Sequence, residues 1–418
     1  MVLDPITAMA IIGIIIVIGY LGNMFFKKTK IPDVLILVLL GLILGPITGI
    51  INTEFLGSFS SYIASLALII IMFEGGLGLK LYDVLKRSPV AMLLSVLGIG
   101  FTMLFVGGFA YFVLGWDLLV ALLLGAIVGG PSSAIVIPLL QNVDNQKLTT
   151  LLSLESALTD GIPIVVAFTI LQVLAFSAGA GPEVIAQGVV SAFSIGIVAG
   201  LLAGIIWIRG LYSIRGHEYD YMLTLSMLFL LYAGVEVLKG SGAIAILIFG
   251  LVLSNAQQIG GIFKMKKISA FSHRMREFQH EVTFFVKSFF FVYLGLLINI
   301  TNIQVIFYGI FILVGIVLAR GIAVYFSFLK EKIDDKFLIF IMMPRGLAAA
   351  VLSSLPVAYG IEHGAEFPDF VFMVIIGTAI LATIGMYYYD TQLKPKIEKE
   401  KVKLEKQKEK DGKKRKKK

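Results

Sequence analysis

Residues 125–138 read GAIVGGPSSAIVIP, and residues 340–351 read FIMMPRGLAAAV. Each is an apolar run cut in the middle. Gly129-Gly130-Pro131 and Pro344-Arg345-Gly346 can neither continue a helix cheaply nor supply every backbone donor, because proline has no N–H. Inside a bilayer, backbone without internal hydrogen bonds is tolerated only where protein or a water-filled cavity covers it. A lone break of this kind is an ordinary kink or close-packing point of a membrane helix. A matched pair in corresponding places of two halves marks an inverted-repeat transporter and its binding site.

The surrounding chain supports a membrane setting. Of 418 residues, 58% are hydrophobic and 15% charged, against about 25% charged in soluble proteins. Mean hydropathy is +0.93. Runs of about 17–25 apolar residues can be placed thirteen times, at 6–26, 33–51, 60–79, 89–114, 118–140, 149–176, 187–208, 220–238, 242–256, 281–299, 302–328, 337–358 and 367–388. The ninth is short. The fold class expected is therefore an all-α polytopic membrane protein of about thirteen helices, with inverted repeats and broken, crossing fifth and twelfth helices. Those two are seven segments apart and so run in opposite directions.

Charge sets the orientation. Loops after odd-numbered segments carry Lys27, Lys28 and Lys30, then Lys80, Lys86 and Arg87, Lys147, Arg209 and Arg215, Lys264, Lys266, Lys267, Arg274 and Arg276, and Lys330, Lys332 and Lys336. Those after even-numbered segments carry almost none, Lys239 excepted. Positive charge stays in the cytoplasm, which puts the N-terminus outside and the C-terminus inside a cytoplasmic membrane. The formal net charge of +8 is local: from Thr391 onward there are 14 Lys/Arg and 5 Asp/Glu. Residues 1–390 form the membrane part. Residues 391–418 form a Lys-rich cytoplasmic tail, with attraction to anionic lipid as a secondary role. A nucleic-acid partner is not expected.

Cysteine is absent and the four histidines do not cluster, so no thiol chemistry, resident metal or cofactor is expected, and no enzyme. The opening MVLDPITAMA lacks the basic region of a signal peptide and reads as the approach to a first membrane helix.

Few strongly polar residues lie within segments: Glu74, Glu155, Asp160, Lys287, Arg320 and Arg345. A charge at bilayer depth costs roughly 2.5–3.5 kcal/mol on insertion scales and marks an ion path or a pair. Glu155 and Asp160 lie in SLESALTDGIP, residues 153–163. On a helix they stand about 140° apart, whereas Ser156 and Asp160 are i, i+4 neighbours. Ser156 and Asp160 can offer oxygens to a hard cation. Glu155 needs a cationic partner, and Arg320 is the natural one. A carboxyl group in low dielectric favours its protonated form, and a bound cation favours the ionised form. Proton and metal ion then compete for one carboxylate, which suffices for exchange. The competing view places both acids in structural ion pairs.

ESALTDG (155–161) resembles the E-S-x-x-N-D motif of NhaP-type monovalent cation:proton antiporters, the archaeal and bacterial branch of the Na+/H+ exchangers. FEGGL around Glu74, FFVYLG after Lys287, LAR at Arg320 and MPRGL at Arg345 extend the likeness over about 6–388. The resemblance implies a homodimer, a dimerisation part beside a six-helix core, and electroneutral exchange of Na+, K+ or Li+ for H+ by elevator-like alternating access, serving pH homeostasis. It implies Asp160 as the cation- and proton-binding carboxylate, Ser156 and Glu74 as ligands or lining groups, and Glu155–Arg320 as a structural pair. The chain departs from the motif in two places. Thr159 replaces its Asn, and Pro131-Ser132-Ser133 replaces the Thr-Asp-Pro of the broken helix. The Pro131 carbonyl and the Ser132 or Ser133 hydroxyl are the substitutes for the missing threonine oxygen. Lys287 is read as a structural or cavity charge, with a second proton carrier as the alternative, and Arg345 as a further functional charge. The runner-up functions are a K+/H+ antiporter or a channel-like K+ efflux protein. The latter usually carries a nucleotide-binding domain, and no G-x-G-x-x-G unit follows a strand here.

Overall fold

The computed structural model describes residues 5–29, 31–51, 60–78, 89–140, 143, 145–176, 182–214, 220–258, 273–298, 303–329 and 336–395. Among them every regular element is helical. In chain order the main helices are α1 (Pro5–Thr29), α2 (Asp33–Leu42), α3 (Ser60–Gly78), α4 (Pro89–Thr102), α5 (Leu118–Ile127), α6 (Ser133–Leu140), α7 (Gln146–Phe176) and α8 (Pro182–Ile214). There follow α9 (Asp220–Val237), α10 (Gly242–Ser254), α11 (His273–Leu297), α12 (Ile303–Ser327), α13 (Lys336–Ile341), α14 (Leu347–Ala358) and α15 (Phe367–Tyr388). Wide turns at Ile43–Ile47 and Met103–Gly107 carry α2 and α4 onward; the first contains Pro46, whose missing N–H forces the loosening.

Seven of the described helices are long and apolar enough to cross a membrane, and six shorter apolar helices accompany them. Length and composition establish those seven; the full count of thirteen crossings rests on reading the shorter ones with them. Their outer faces carry Phe112, Ile206, Leu230 and Leu104 exposed, as lipid contact requires.

The basic residues sit differently from the expectation. Lys27, Lys28, Lys147, Arg209, Arg274 and Arg276 belong to the ends of α1, α7, α8 and α11 rather than to loops. A helix loses nothing by continuing into the headgroup region, where water and lipid phosphates receive long cationic side chains. The tail beyond residue 395, and Lys30, Lys80, Lys86, Arg87, Arg215, Lys264, Lys266, Lys267, Lys330 and Lys332, lie outside the described residues.

Packing sorts the helices into two groups. One joins α1, α2, α3, α8, α9, α10 and α11; the other joins α4 to α7 with α12 to α15. Two crossings in the first group bring backbone onto backbone. A Cβ on Gly41 would lie 2.8 Å from Gly295 Cα, joining α2 to α11, and one on Gly76 would lie 3.0 Å from Gly250 Cα, joining α3 to α10. Shifting by seven segments turns the first crossing into the second. The inverted repeat is thus visible in the packing as well as in the paired breaks.

Candidate functional site

Both breaks are non-helical stretches of backbone between half-helices: Val128–Ser132 between α5 and α6, and Met342–Gly346 between α13 and α14. They touch where they cross. Ser132 N–H donates to Pro344 O at 2.9 Å, and a Cβ on Gly346 would run into the Ser132 side chain. Gly130 is equally confined, since any side chain there would enter Thr159. Each half-helix ends with unpaired backbone groups, and the site is built by satisfying them.

Carbonyl ends meet Arg345. This residue is 2% exposed. Its Nε donates to Val128 O at 2.7 Å, beyond the end of α5, and its Nη1 to Met343 O at 2.8 Å, beyond the end of α13. A planar cation with several donors suits two converging negative helix ends. Its backbone N–H donates to Thr378 Oγ1 of α15 at 3.0 Å. Arg345 therefore braces the crossing, and it does not line the adjoining cavity.

The amide end of α6 meets Asp160. Ser133 N–H points at the two carboxylate oxygens at 3.3 and 3.4 Å, and the Ser133 hydroxyl donates to one of them. A helix N-terminus is a ready anion site, and here the anion is the protein's own. Asp160 is half-buried and lines a cavity of about 950 Å³. Across that cavity α3 and α11 present Glu74, His280, Thr283 and Lys287. Glu74 lies beside Thr283 and within electrostatic reach of His280, Lys287 and Asp160. Lys287 donates to both oxygens of Asp33 in α2, at 2.8 and 3.1 Å. The remaining lining includes Asn23, Gly78 and Gln257, which places the mouth at the end of the bundle that carries the basic residues.

Glu155 lies five residues before Asp160 and outside the cavity. Arg320 of α12 grips it with both terminal nitrogens and donates to Ile339 O at 2.8 Å through Nη2. Glu155 is 1% exposed and Arg320 3%. The carboxylate and the guanidinium are both hydrogen-bonded, as a buried pair must be.

Of three further residues singled out in the sequence, Ser156 and Thr159 donate to backbone carbonyls and Ser132 lines the cavity. Ser156 is buried and donates to Ser153 O of its own helix at 3.2 Å. It is not among the cavity-lining residues, because the cavity lies on the Ala157 side of Asp160. A helical serine that turns back onto its own backbone has spent its proton locally. Thr159 donates to Pro131 O at 2.7 Å. The two departures from the motif are therefore partners: the threonine on α7 holds the carbonyl of the proline in the break, leaving that oxygen one lone pair. Ser132 lines the cavity beside Ser133, within reach of Asp160.

Asp33, His280 and Thr283 were not singled out in the sequence. Asp33 stands at the first position of a helix after a proline, where an acid is ordinary capping. His280 and Thr283 fall at or beyond the edge of an apolar run. Their spacing with Lys287, three and then four residues, is the available signal of a common face.

A family model described as "Sodium/hydrogen exchanger, transmembrane" matches residues 13–387. Among relatives, the chain is 27% identical over 405 residues to "Na(+)/H(+) antiporter 1" of Methanocaldococcus jannaschii, covering 91% of each. It is 26% identical over 395 residues to "K(+)/H(+) antiporter NhaP2" of Shewanella oneidensis, covering 89% of this chain and 65% of that one. The solved structure of the sodium proton antiporter MjNhaP1 from M. jannaschii at pH 8 matches with a TM-score of 0.75 at 24% identity, over 93% of this chain and 98% of that one. This last likeness establishes the fold.

Proposed function

The chain belongs to the sodium/hydrogen exchanger family, and we propose that it is a secondary antiporter in which a monovalent cation and a proton compete for Asp160. The observation that carries this reading is the placement of Asp160. Its carboxylate is held from one side by Ser133 at the α6 N-terminus and opens on the other to a cavity that also holds Glu74. The Ser133 donors occupy one side of the carboxylate, so the cation docks on the opposite side, between Asp160 and Glu74. Cation ligands would come from those carboxylates, the Ser132 and Ser133 oxygens and the second lone pair of Pro131 O. A proton on Asp160 removes the charge that holds the cation. Only one of the two leaves with the site, which gives one-for-one exchange. No resident cofactor is needed; the cation is cargo.

The group α4–α7 with α12–α15 carries Asp160, while Glu74 and the opposite wall belong to the other group. Sliding the first group against the second would carry Asp160 from one mouth to the other. By the distribution of basic residues, the mouth seen here is cytoplasmic, with the N-terminus outside. In this reading the second group forms the dimer contact, leaving the first free to move. Relatives named for Na+ and for K+ both match, so the cargo class is an alkali cation.

The test is dissipation of a pH gradient in proteoliposomes on addition of Na+, K+ or Li+, with a membrane-potential probe to check electroneutrality. Asp160→Asn is expected to abolish cation-dependent proton movement for every ion while leaving a folded protein. Exchange that survives this substitution, or cation flux uncoupled from protons, would overturn the reading.

A further inference from the structure

Lys287 is the one lysine or arginine among the described residues lining the cavity. It occupies a face of α11 shared with His280 and Thr283, opposite Glu74. An ammonium group and an alkali cation seek the same carboxylate oxygens. A free Lys287 would be a tethered competitor for the cargo.

It is not free. Both oxygens of Asp33 accept from its Nζ, at 2.8 and 3.1 Å, and Asp33 is 3% exposed against 16% for Lys287. The chain fixes Asp33 there in two ways. As the first residue of α2 it sits at a positive helix end, with Val34 N–H donating to it at 3.0 Å. The Gly41–Gly295 contact then locks α2 against α11, and the ion pair lies eight residues before the contact on each helix.

The internal repeat supplies a comparison. The equivalent crossing of α3 and α10 is locked by Gly76 and Gly250. Eight residues before those glycines stand Leu68 and Gly242, both buried. That crossing packs without an ion pair, so the pair is not what this packing requires. Of its two members, Lys287 lines the cavity and Asp33 stands behind it.

We propose that Asp33 is a charge-cancelling partner that keeps Lys287 off the carboxylates of the cavity and thereby sets the apparent affinity for the cation. Asp33 is then a positioning residue acting through Lys287. The inference rests on the antiport reading above.

It is tested in proteoliposomes by the cation dependence of exchange, with cation-induced thermal stabilisation as a readout of binding that needs no transport. Asp33→Asn is expected to raise the KM for the cation by about tenfold, the order that one uncompensated nearby charge produces. Vmax should stay within about twofold. Adding Lys287→Met to it should return KM to within about threefold of the native value, and Lys287→Met alone should not raise KM. The inference is overturned if Asp33→Asn leaves KM unchanged, if the double variant is as impaired as the single, or if Lys287→Met by itself raises KM. Should Asp33→Asn fail to fold, the double variant and Lys287→Met still decide. A native protein that exchanges normally while these outcomes fail sinks only this inference; one that shows no cation-coupled proton movement sinks the antiport reading.

Discussion

Two acids five residues apart on α7 have opposite fates. Glu155 faces inward against Arg320, which also donates to the Ile339 carbonyl, and it does not line the cavity. Asp160 has Ser133 on one side and the cavity on the other. The distinction predicts different failures. Arg320→Met leaves Glu155 buried without its partner, at a cost of about 3–5 kcal/mol, and should appear as a marked drop in melting temperature and folded yield. Asp160→Asn should keep the melting temperature close to native and lose only the response to cation. If Arg320→Met melts like the native protein but fails in exchange, Arg320 belongs to the ion path and not to the scaffold. Thr159 offers a related lesson, since its hydroxyl steadies the break through Pro131 O. Its contribution to the site passes through the backbone.

Among the elements, the half-helices and the glycine crossings do the positioning. Four helix ends converge at the breaks. Arg345 takes the carbonyl ends and Asp160 an amide end, so cation and anion of the protein sit on the dipoles that favour them. Arg345→Lys keeps the charge and loses the fork, which cannot then reach Val128 O and Met343 O together. The glycine crossings make a sharper test. A Cβ on Gly250 would lie 2.7 Å from Phe73 O, whereas one on Gly98 in α4 meets nothing within 4 Å. Gly98→Ala should stabilise by up to about 1 kcal/mol through helix propensity. Gly250→Ala should destabilise despite the same gain, by about 1–3 kcal/mol of overpacking. Thermal melts of the two in detergent compare them directly; equal shifts would contradict the close approach of α3 and α10.

At the scale of the whole molecule, the proposed alternating cycle opens the cavity to one end of the bundle at a time. The natural absence of cysteine makes this easy to probe. Ala134 lines the cavity and is exposed. Ala134→Cys should react with a membrane-impermeant maleimide in inside-out vesicles and, in this conformation, resist it in right-side-out ones. The reverse pattern would invert the orientation drawn from the basic residues.

Much of this was legible before any coordinates. Hydropathy, two interrupted segments seven apart, and isolated charges in apolar runs are local properties of the chain; they determined the fold class and the breaks, and they singled out Asp160. Glu155–Arg320 could be anticipated because a buried charge at depth demands a partner and few were on offer. The companions of Asp160 could not be anticipated in the same way. Whether Ser156 or Ser133 reaches it depends on which side of α7 the cavity occupies, and that is set by helices packed from distant parts of the chain. The pairing of Lys287 with Asp33 joins residues 254 positions apart through a glycine contact that no periodicity reveals. Sequence determined which side chains would be costly to bury; only tertiary packing decided what each would be buried against, because hydrogen bonds and ion pairs are made across space and not along the chain.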